Sequence, residues 1–281
     1  MLLIALAAVL WGTTGTSQAL APAGANPLAV GTLRIVVGGL ALLALAYFRG
    51  GFRTRTPWHI PATAAAAVST ALYQVTFFAG TQQTGVAVGT MIAIGSAPIF
   101  AGVLSVLVER EPPSRVWMAA TAIAVAGSVV LISGGDADMV VDPVGVLLSL
   151  GAGLCYASFA TANKWLLTAH TSEEVMAVSF CAGAVLLSPL LLFNPVGWVA
   201  TPGGAVVVLH LGLVATGLSY ALFGDGLRAV KVTTAATLSL IEPLTAALLG
   251  VFVVREALTG QAAAGMALIF MGLLVLAIRR G

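Results

Sequence analysis

The chain has 281 residues, of which 59% are hydrophobic and only 8% are charged. A soluble domain carries about 25% charged residues, so this composition excludes an ordinary soluble fold and a disordered chain. The 12 Lys and Arg residues exceed the 10 Asp and Glu residues by only two, which is too small an excess for a nucleic-acid-binding face. Two cysteines are too few for a disulfide scaffold. The composition indicates an integral membrane protein whose surroundings are the lipid bilayer.

Ten long apolar runs follow one another along the chain. A membrane-spanning helix needs about 20 apolar residues. Because the runs are continuous and rich in Ala, Leu and Val, they predict helices and not the short alternating strands of a β-barrel. We therefore predict an all-α integral membrane protein with ten transmembrane helices. The predicted helices cover roughly 2–20, 28–48, 59–82, 86–108, 116–134, 144–168, 174–193, 203–227, 232–254 and 260–278.

The cationic residues predict the orientation of this bundle. If both termini lie on one side, ten of the Lys and Arg residues lie on that side as well, whereas Arg255 alone lies on the other and Arg34 lies inside the second helix. An excess of cations marks the cytoplasmic side. We predict that both termini are cytoplasmic, in the inner membrane of a bacterium. The ten residues are Arg49, Arg53, Arg55, Arg110, Arg115, Lys164, Arg228, Lys231, Arg279 and Arg280.

The two halves of the chain align with each other without a gap at an offset of 145 residues. Pro98 meets Pro243, Trp11 meets Tyr156, and the Arg-Glu pair at 110–111 meets the one at 255–256. Each half holds five predicted helices, an odd number, so the second half crosses the membrane in the opposite sense. We predict two inverted five-helix repeats, residues 1–134 and 144–281. Such repeats place a solute site between the halves and allow alternating access.

Several motifs then resemble one family of membrane proteins. They are Ala-Ala-Val-Leu-Trp-Gly-Thr-Thr-Gly at 7–15, Arg34, Pro98 followed by Arg-Glu-Pro at 110–112, Glu-Pro at 242–243 and Arg-Glu-Ala-Leu-Thr at 255–259. Nearly the whole chain resembles the EamA-type ten-helix members of the drug/metabolite transporter superfamily. The resemblance implies export of small metabolites, often amino acids, through a cavity lined mainly by the third, fourth, eighth and ninth helices. One departure is that the Gly-Glu pair of the family at the ends of the fourth and ninth helices is Arg-Glu here.

Glu242 is the acidic residue that the sequence places near the middle of the membrane. It lies about ten residues into the ninth predicted helix, where an unpaired carboxylate costs about 2.5–3.5 kcal/mol on insertion scales. Two interpretations are open. The carboxylate either bonds to Ser239 or Thr245 and stabilises the break made by Pro243, or it belongs to the solute or proton pathway.

Two basic side chains also lie inside predicted helices. Arg34 either snorkels to the outer interface, forms an ion pair that locks the helices together, or anchors a solute carboxylate through its guanidinium. His210 is either a hydrogen-bonded core residue or part of a proton relay.

Aromatic residues are the other candidates for a solute site. Tyr73, Phe77 and Thr81 recur every four residues in the third helix and therefore share a face, which suits either a cavity or simple helix packing. Pro98 and Pro243 each remove one backbone hydrogen bond, so they either act as hinges or only curve their helices. The candidate solute-binding residues are Trp11, Tyr73, Gln74, Phe77, Phe78, Tyr156, His210, Tyr220 and Glu242, with Arg34 as the carboxylate anchor or ion-pair partner.

The motifs of common enzymes are missing from the sequence. It contains no Gly-Lys-Ser/Thr phosphate loop, no His-Glu-x-x-His metal motif and no Gly-x-Ser-x-Gly nucleophile turn. We therefore expect no catalytic activity, cofactor or metal. The predicted function is a secondary transporter, monomeric or homodimeric, that exports small metabolites by alternating access, with amino acids, including aromatic or other apolar ones, as the expected solutes. The alternatives are a multidrug or quaternary-ammonium exporter and, in another class, a membrane enzyme or sensor.

Overall fold

The computed structural model describes residues 1–53, 56–132, 142–254 and 259–278, and within these ranges the chain is a bundle of helices without strands. Eight helices in these ranges are long and apolar enough to cross a membrane, and the first and fifth are shorter apolar helices. The prediction of an all-α membrane protein of about ten helices is confirmed. The regular helices are α1 (Leu2–Gly12 and Thr14–Ala19), α2 (Pro27–Phe48), α3 (Ile60–Thr84), α4 (Val86–Leu104), α5 (Arg115–Ile132), α6 (Pro143–Leu166), α7 (Ser172–Leu187), α8 (Pro202–Leu209 and Ser219–Ala229), α9 (Val232–Leu238 and Ile241–Leu249) and α10 (Gly260–Ile278).

Irregular turns extend or interrupt some of these helices. A π-helical turn, Ser105–Glu109, extends α4, and a second one, Gly250–Val254, extends α9. A 3₁₀ turn, Ser188–Leu192, extends α7, and another, Gly197–Ala200, precedes α8. The longest π-helical segment, His210–Leu218, joins the two parts of α8.

Three helices that start on the predicted outer side share one type of cap. Asn26, Asp142 and Thr201 each accept a hydrogen bond from a backbone N–H of the first turn, and a proline follows each of them. A short polar side chain satisfies an N–H that has no partner in the helix, and proline is preorganised for the first helical position. The starts of α2, α6 and α8 are therefore defined by their own sequences.

The proline of α9 lies at an interruption of its helix. Pro243 has no N–H to donate to the carbonyl of Ser239, which accepts the N–H of Glu242 at 2.9 Å instead. The regular helix is interrupted between Leu238 and Ile241, one turn before the cavity described below. In α4 the equivalent Pro98 lies inside an uninterrupted helix, so the two prolines do not have the same effect.

Small residues allow α5 and α10 to pack closely. Ala120, Ala124 and Ser128 are buried along one face of α5, and Gly272 of α10 lies directly against Ala120 and Ala124. The contact between α5 and α10 within the chain therefore accounts for the spacing of these small residues.

The contacts between helices enclose a central region. α1 packs on α8 and α9, α3 packs on α6 and α7, and α4 packs on α6. On the outside, α2 packs on α7 and α8. The side chains of α1, α3, α4, α6, α8 and α9 therefore meet near the middle of the bundle.

Candidate solute site

A cavity of about 510 Å³ lies between α1, α3, α4 and α9. It extends from Trp11 and Glu242, in the middle of the bundle, to Gln18, Pro27 and Ala262, at the helix ends of the predicted outer side. Phe77, Phe78, Ile94, Ala246 and Val251 provide apolar walls, and Thr14, Thr81, Gln82 and Thr90 provide polar positions. The cavity therefore opens toward the predicted outer face and ends at an acidic residue.

Glu242 separates this cavity from a small void of about 20 Å³. Tyr73, Ala97, Tyr156 and Ser239 line the void together with Glu242. The carboxylate has no hydrogen bond or ion pair within the described part of the chain. The hydroxyl of Ser239 donates to the carbonyl of Ala236 at 2.7 Å, and so is not directed at Glu242.

The hydroxyl of Thr245 is engaged elsewhere as well, because it donates to the carbonyl of Ile241 at 3.0 Å. The interpretation that Ser239 or Thr245 satisfies Glu242 is therefore wrong. The carboxylate faces the cavity and the void, and no described residue forms a hydrogen bond or an ion pair with it.

Arg34 is buried on α2, with 8% of the residue exposed, and so does not snorkel to the interface. Its Nε atom is fully buried and has no hydrogen-bond partner among the described residues. The guanidinium is close enough to interact electrostatically with Glu242, Tyr73 and Tyr220. It forms no ion pair with a described residue and does not line the large cavity. Arg34 is thus a buried cation beside the aromatic centre of the bundle.

An aromatic cluster closes the inner end of the cavity. The ring of Trp11 lies 6.3 Å from that of Tyr156, 5.0 Å from that of Tyr220 and 5.4 Å from that of Phe223. The indole N–H of Trp11 donates to the hydroxyl of Ser219 at 2.9 Å, which fixes the ring on α8. These rings separate the cavity from the predicted cytoplasmic half of the bundle.

A second void of about 20 Å³ lies beyond the first one. Tyr73, Gln74, Tyr156 and Tyr220 line it, together with Phe159 and Phe180. The Oε1 atom of Gln74 is buried without a hydrogen-bond partner among the described residues. Tyr73 and Tyr156 border both voids, so the three spaces form a series that runs inward from the cavity.

The predicted face of α3 follows this series. Phe77 and Thr81 line the large cavity, and Tyr73 borders the two voids. The rings of Tyr73 and Phe77 are stacked, with centroids 5.5 Å apart. The aromatic and polar stripe therefore runs along the route from the cavity to the interior.

The structure does not bring every candidate to the cavity. The Nε2 atom of His210 lies 2.9 Å from the hydroxyl of Thr13, at the break in α1, and His210 lines none of the three spaces. This contact fits the interpretation of a hydrogen-bonded core histidine. Pro98 lines none of the three spaces either, whereas Pro243 lines the large cavity.

Polar residues of α1 were absent from the sequence prediction although they line the cavity. Thr14 and Gln18 follow Trp11 at spacings of three and seven residues, which places all three on one helix face. The polar run Thr-Gly-Thr-Ser-Gln at 14–18, inside an apolar helix, was the available signal.

The predicted cytoplasmic end of the bundle is held together by polar contacts. Lys231, at the start of α9, lies 2.6 Å from Glu111, just beyond α4. The ion pair lowers the pKa of Glu111 and raises that of Lys231. Lys164 of α6 donates to the carbonyls of Leu227 and Arg228, at 2.8 and 3.0 Å, and so binds the end of α8. This end is closed while the cavity is open at the other.

Contacts of α7 complete the closed end. Arg49, at the end of α2, lies 2.5 Å from Glu173, and this pair raises the pKa of Arg49. The hydroxyl of Ser172 donates to Asp225 of α8. Among the described residues, no group of His, Cys, Asp and Glu side chains is arranged to hold a metal ion.

A multi-pass helical bundle with a central cavity open at one end and closed at the other has the architecture of a membrane transporter. The family model of EamA-like transporters matches residues 1–133 and 143–278. The chain belongs to the EamA-like transporter family. It is accordingly a multi-pass membrane protein, in agreement with the predicted location in the bacterial inner membrane.

Named proteins are similar to the chain over most of its length. The uncharacterized transporter YwfM of Bacillus subtilis is 43% identical, covering 98% of this chain and 92% of its own. The threonine/homoserine exporter RhtA of Escherichia coli K12 is 27% identical, with 92% and 84% covered. A crystal structure with 24% identity superposes with a TM-score of 0.86 and covers 99% of this chain and 97% of its own, so the fold is shared.

Proposed function

We propose that this transporter exports small zwitterionic metabolites, and that amino acids are its solutes. The observation that carries the proposal is the carboxylate of Glu242, which lies at the inner end of the cavity without a partner in the described part of the chain. An ionised group inside a membrane protein is costly unless it is paired. The ammonium group of a solute would pair with Glu242 and remove that cost.

Arg34 supplies a charge of the opposite sign for the solute carboxylate. Its guanidinium interacts electrostatically with Glu242 but forms no ion pair with it, so both groups remain available. Guanidinium binds carboxylates through two parallel hydrogen bonds. We propose that Arg34 engages the carboxylate when the solute moves from the cavity toward Tyr73 and Tyr220.

The cavity walls favour solutes with an apolar or aromatic side chain. Trp11, Phe77 and Phe78 present aromatic surfaces to the cavity, and its volume lies within the roughly 300–1,000 Å³ typical of small-molecule sites. The name of the relative RhtA as a threonine/homoserine exporter supports amino acids as the solute class. A relative from Streptantibioticus cattleyicolor, named a probable terminal-alkyne amino-acid exporter, is 27% identical over about half of each chain.

Alternating access requires two halves that move against each other. Two separate matches to the family model support the predicted inverted repeats, 1–134 and 144–281. Repeat-equivalent residues also meet at the centre, where Trp11 contacts Tyr156. In this proposal both termini are cytoplasmic, and the cavity of this structure is open to the outside. Rocking of the two halves against each other would open the closed cytoplasmic end of the bundle.

A second candidate function is export of quaternary-ammonium compounds. Glu242 beside Trp11 and Phe77 favours it, because aromatic faces and a carboxylate together bind organic cations. Arg34 argues against this function, because its buried positive charge repels a cationic solute. The two candidates therefore differ in whether the solute needs a carboxylate.

The test is flux of labelled amino acids into liposomes that contain the purified protein. Three competitors would share one side chain and carry either both charged groups, only the amine, or only the carboxylate. The fourth competitor would be a lipophilic quaternary cation. We expect the zwitterion to compete best. Stronger competition by the quaternary cation would establish the second candidate, and absence of flux for every solute, with and without a pH gradient, would contradict transport of either class.

A further inference from the structure

A groove on the outside of the bundle lies between α4 and α5. It has a volume of about 400 Å³ and is lined by Ile99, Val103 and Val106 of α4 and by Met118, Ala122 and Val125 of α5. Gly102 and Trp117 also line it. A Cβ atom at Gly102 would lie 2.9 Å from the indole of Trp117, so the glycine lets the ring lie close to α4. The result is an apolar concavity on a surface that faces lipid.

Two arginines lie close in the chain to the residue that lines the predicted cytoplasmic end of this groove. Arg110 and Arg115 are exposed, and neither has an acidic partner within the described ranges. Pro113, between them in the chain, lines the groove. The neighbouring Glu111 is already paired with Lys231 at 2.6 Å. The segment at this end of the groove thus carries two exposed arginines that form no ion pair within the described ranges, at the depth of the phospholipid head groups.

We propose that this groove is a binding site for an anionic phospholipid of the cytoplasmic leaflet. One acyl chain would occupy the apolar groove, and the phosphate would bind Arg110 and Arg115. Guanidinium groups match phosphate geometry, and basic pockets on the cytoplasmic side of membrane proteins bind anionic head groups. A lipid without net charge would leave the charges of the two arginines without compensation.

Charge also disfavours a second copy of the chain as the occupant. A twofold contact buries the same surface of both copies, so the arginines of both copies would lie near each other at one interface. The floor of the groove is connected to the transport region, because the indole N–H of Trp117 donates to the carbonyl of Thr233 in α9 at 3.0 Å.

Native mass spectrometry of the full chain, with phosphatidylglycerol and phosphatidylcholine of identical acyl chains, tests the site. Each cation near an anionic head group contributes about a fivefold factor, so the variant with Arg110→Gln and Arg115→Gln is expected to bind phosphatidylglycerol about 25-fold more weakly. Arg228→Gln is the matched control, because Arg228 is an exposed arginine at the same end of the bundle.

The groove itself is tested by Ala122→Phe, which fills it without touching the arginines. Ala65→Phe, at an exposed position of α3 outside the groove, is its control. We expect Ala122→Phe to reduce retention of phosphatidylglycerol and Ala65→Phe to leave it unchanged. Equal affinity for both lipids, or unchanged binding in the arginine and Ala122→Phe variants, would overturn the proposal. Conversion of a dimer to a monomer by Ala122→Phe, without loss of lipid, would show that a second copy occupies the groove.

Discussion

Replacement of Glu242 by glutamine is the most direct perturbation of the proposed site. The substitution keeps the size of the side chain and one oxygen acceptor but removes the negative charge. Because no described residue forms an ion pair with the carboxylate, the substitution breaks no ion pair within the described part of the protein. We expect weaker binding of every solute that carries an ammonium group.

The magnitude follows from the position of the carboxylate. A hydrogen bond to a charged group contributes about 1.5–3 kcal/mol. The cavity is open at one end, so water competes and the lower part of that range, about 1.5–2 kcal/mol, applies. Each 1.4 kcal/mol is tenfold, so the concentration for half-maximal transport should rise by about 10- to 30-fold.

The assay is competition against labelled solute in liposomes, with one analogue that lacks the amine and one that lacks the carboxylate. Glu242→Gln should weaken binding of the amine-bearing analogue and should not weaken binding of the carboxylate-only analogue, because the substitution removes a negative charge that repels carboxylates. Glu109→Gln is the control, because Glu109 lies at the end of α4 outside the cavity. An equal loss for both analogues, or no loss for either, would refute the pairing of Glu242 with the ammonium group.

Three further predictions concern stability, access and closure. Gly272→Ala should destabilise the protein by about 1–3 kcal/mol through overpacking against α5, as measured by thermal unfolding, whereas Gly260→Ala should not, because open space surrounds Gly260. Thr90→Cys, in a background without native cysteines, should react with a membrane-impermeant maleimide added from outside, since Thr90 lines the cavity. The Glu111–Lys231 link should hold above the usual carboxyl pKa of 4.5 and be lost as pH falls through the lowered pKa of Glu111. Spin-label distances between the end of α4 and the start of α9 should then widen at low pH in the wild type and be independent of pH in Glu111→Gln.

Helix ends were predictable where short-range chemistry sets them. The predicted starts at about 28, 144 and 203 lie one residue after Pro27, Pro143 and Pro202, where the helices begin. The interruptions inside helices were less accessible. The break in α1 at Thr13 contacts the π-helical segment of α8 at His210. The two residues are far apart in the chain, so no local pattern encodes this contact.

The solute site was predictable only where the spacing of polar and aromatic residues defines one face of a helix. The spacing of Tyr73, Phe77 and Thr81 defines a face of α3, and that face does lie along the route. Arg34 and His210 could be assigned only a depth in the membrane, because apolar residues surround both on every side of their helices. A sequence without a polar face does not show which way a side chain points, so packing alone places His210 against Thr13.

The position of Glu242 gives a physical reason why the two halves differ at this point of the centre. Its equivalent, 145 residues earlier, is Ala97, and both residues line the same small void. Two carboxylates in a void of about 20 Å³ would repel each other, and one would be forced to bind a proton. Trp11 and Tyr156, another unlike pair, also meet at the centre. Where two repeat-equivalent residues line the same small void, as Glu242 and Ala97 do, only one of them can carry a charge and the other is neutral.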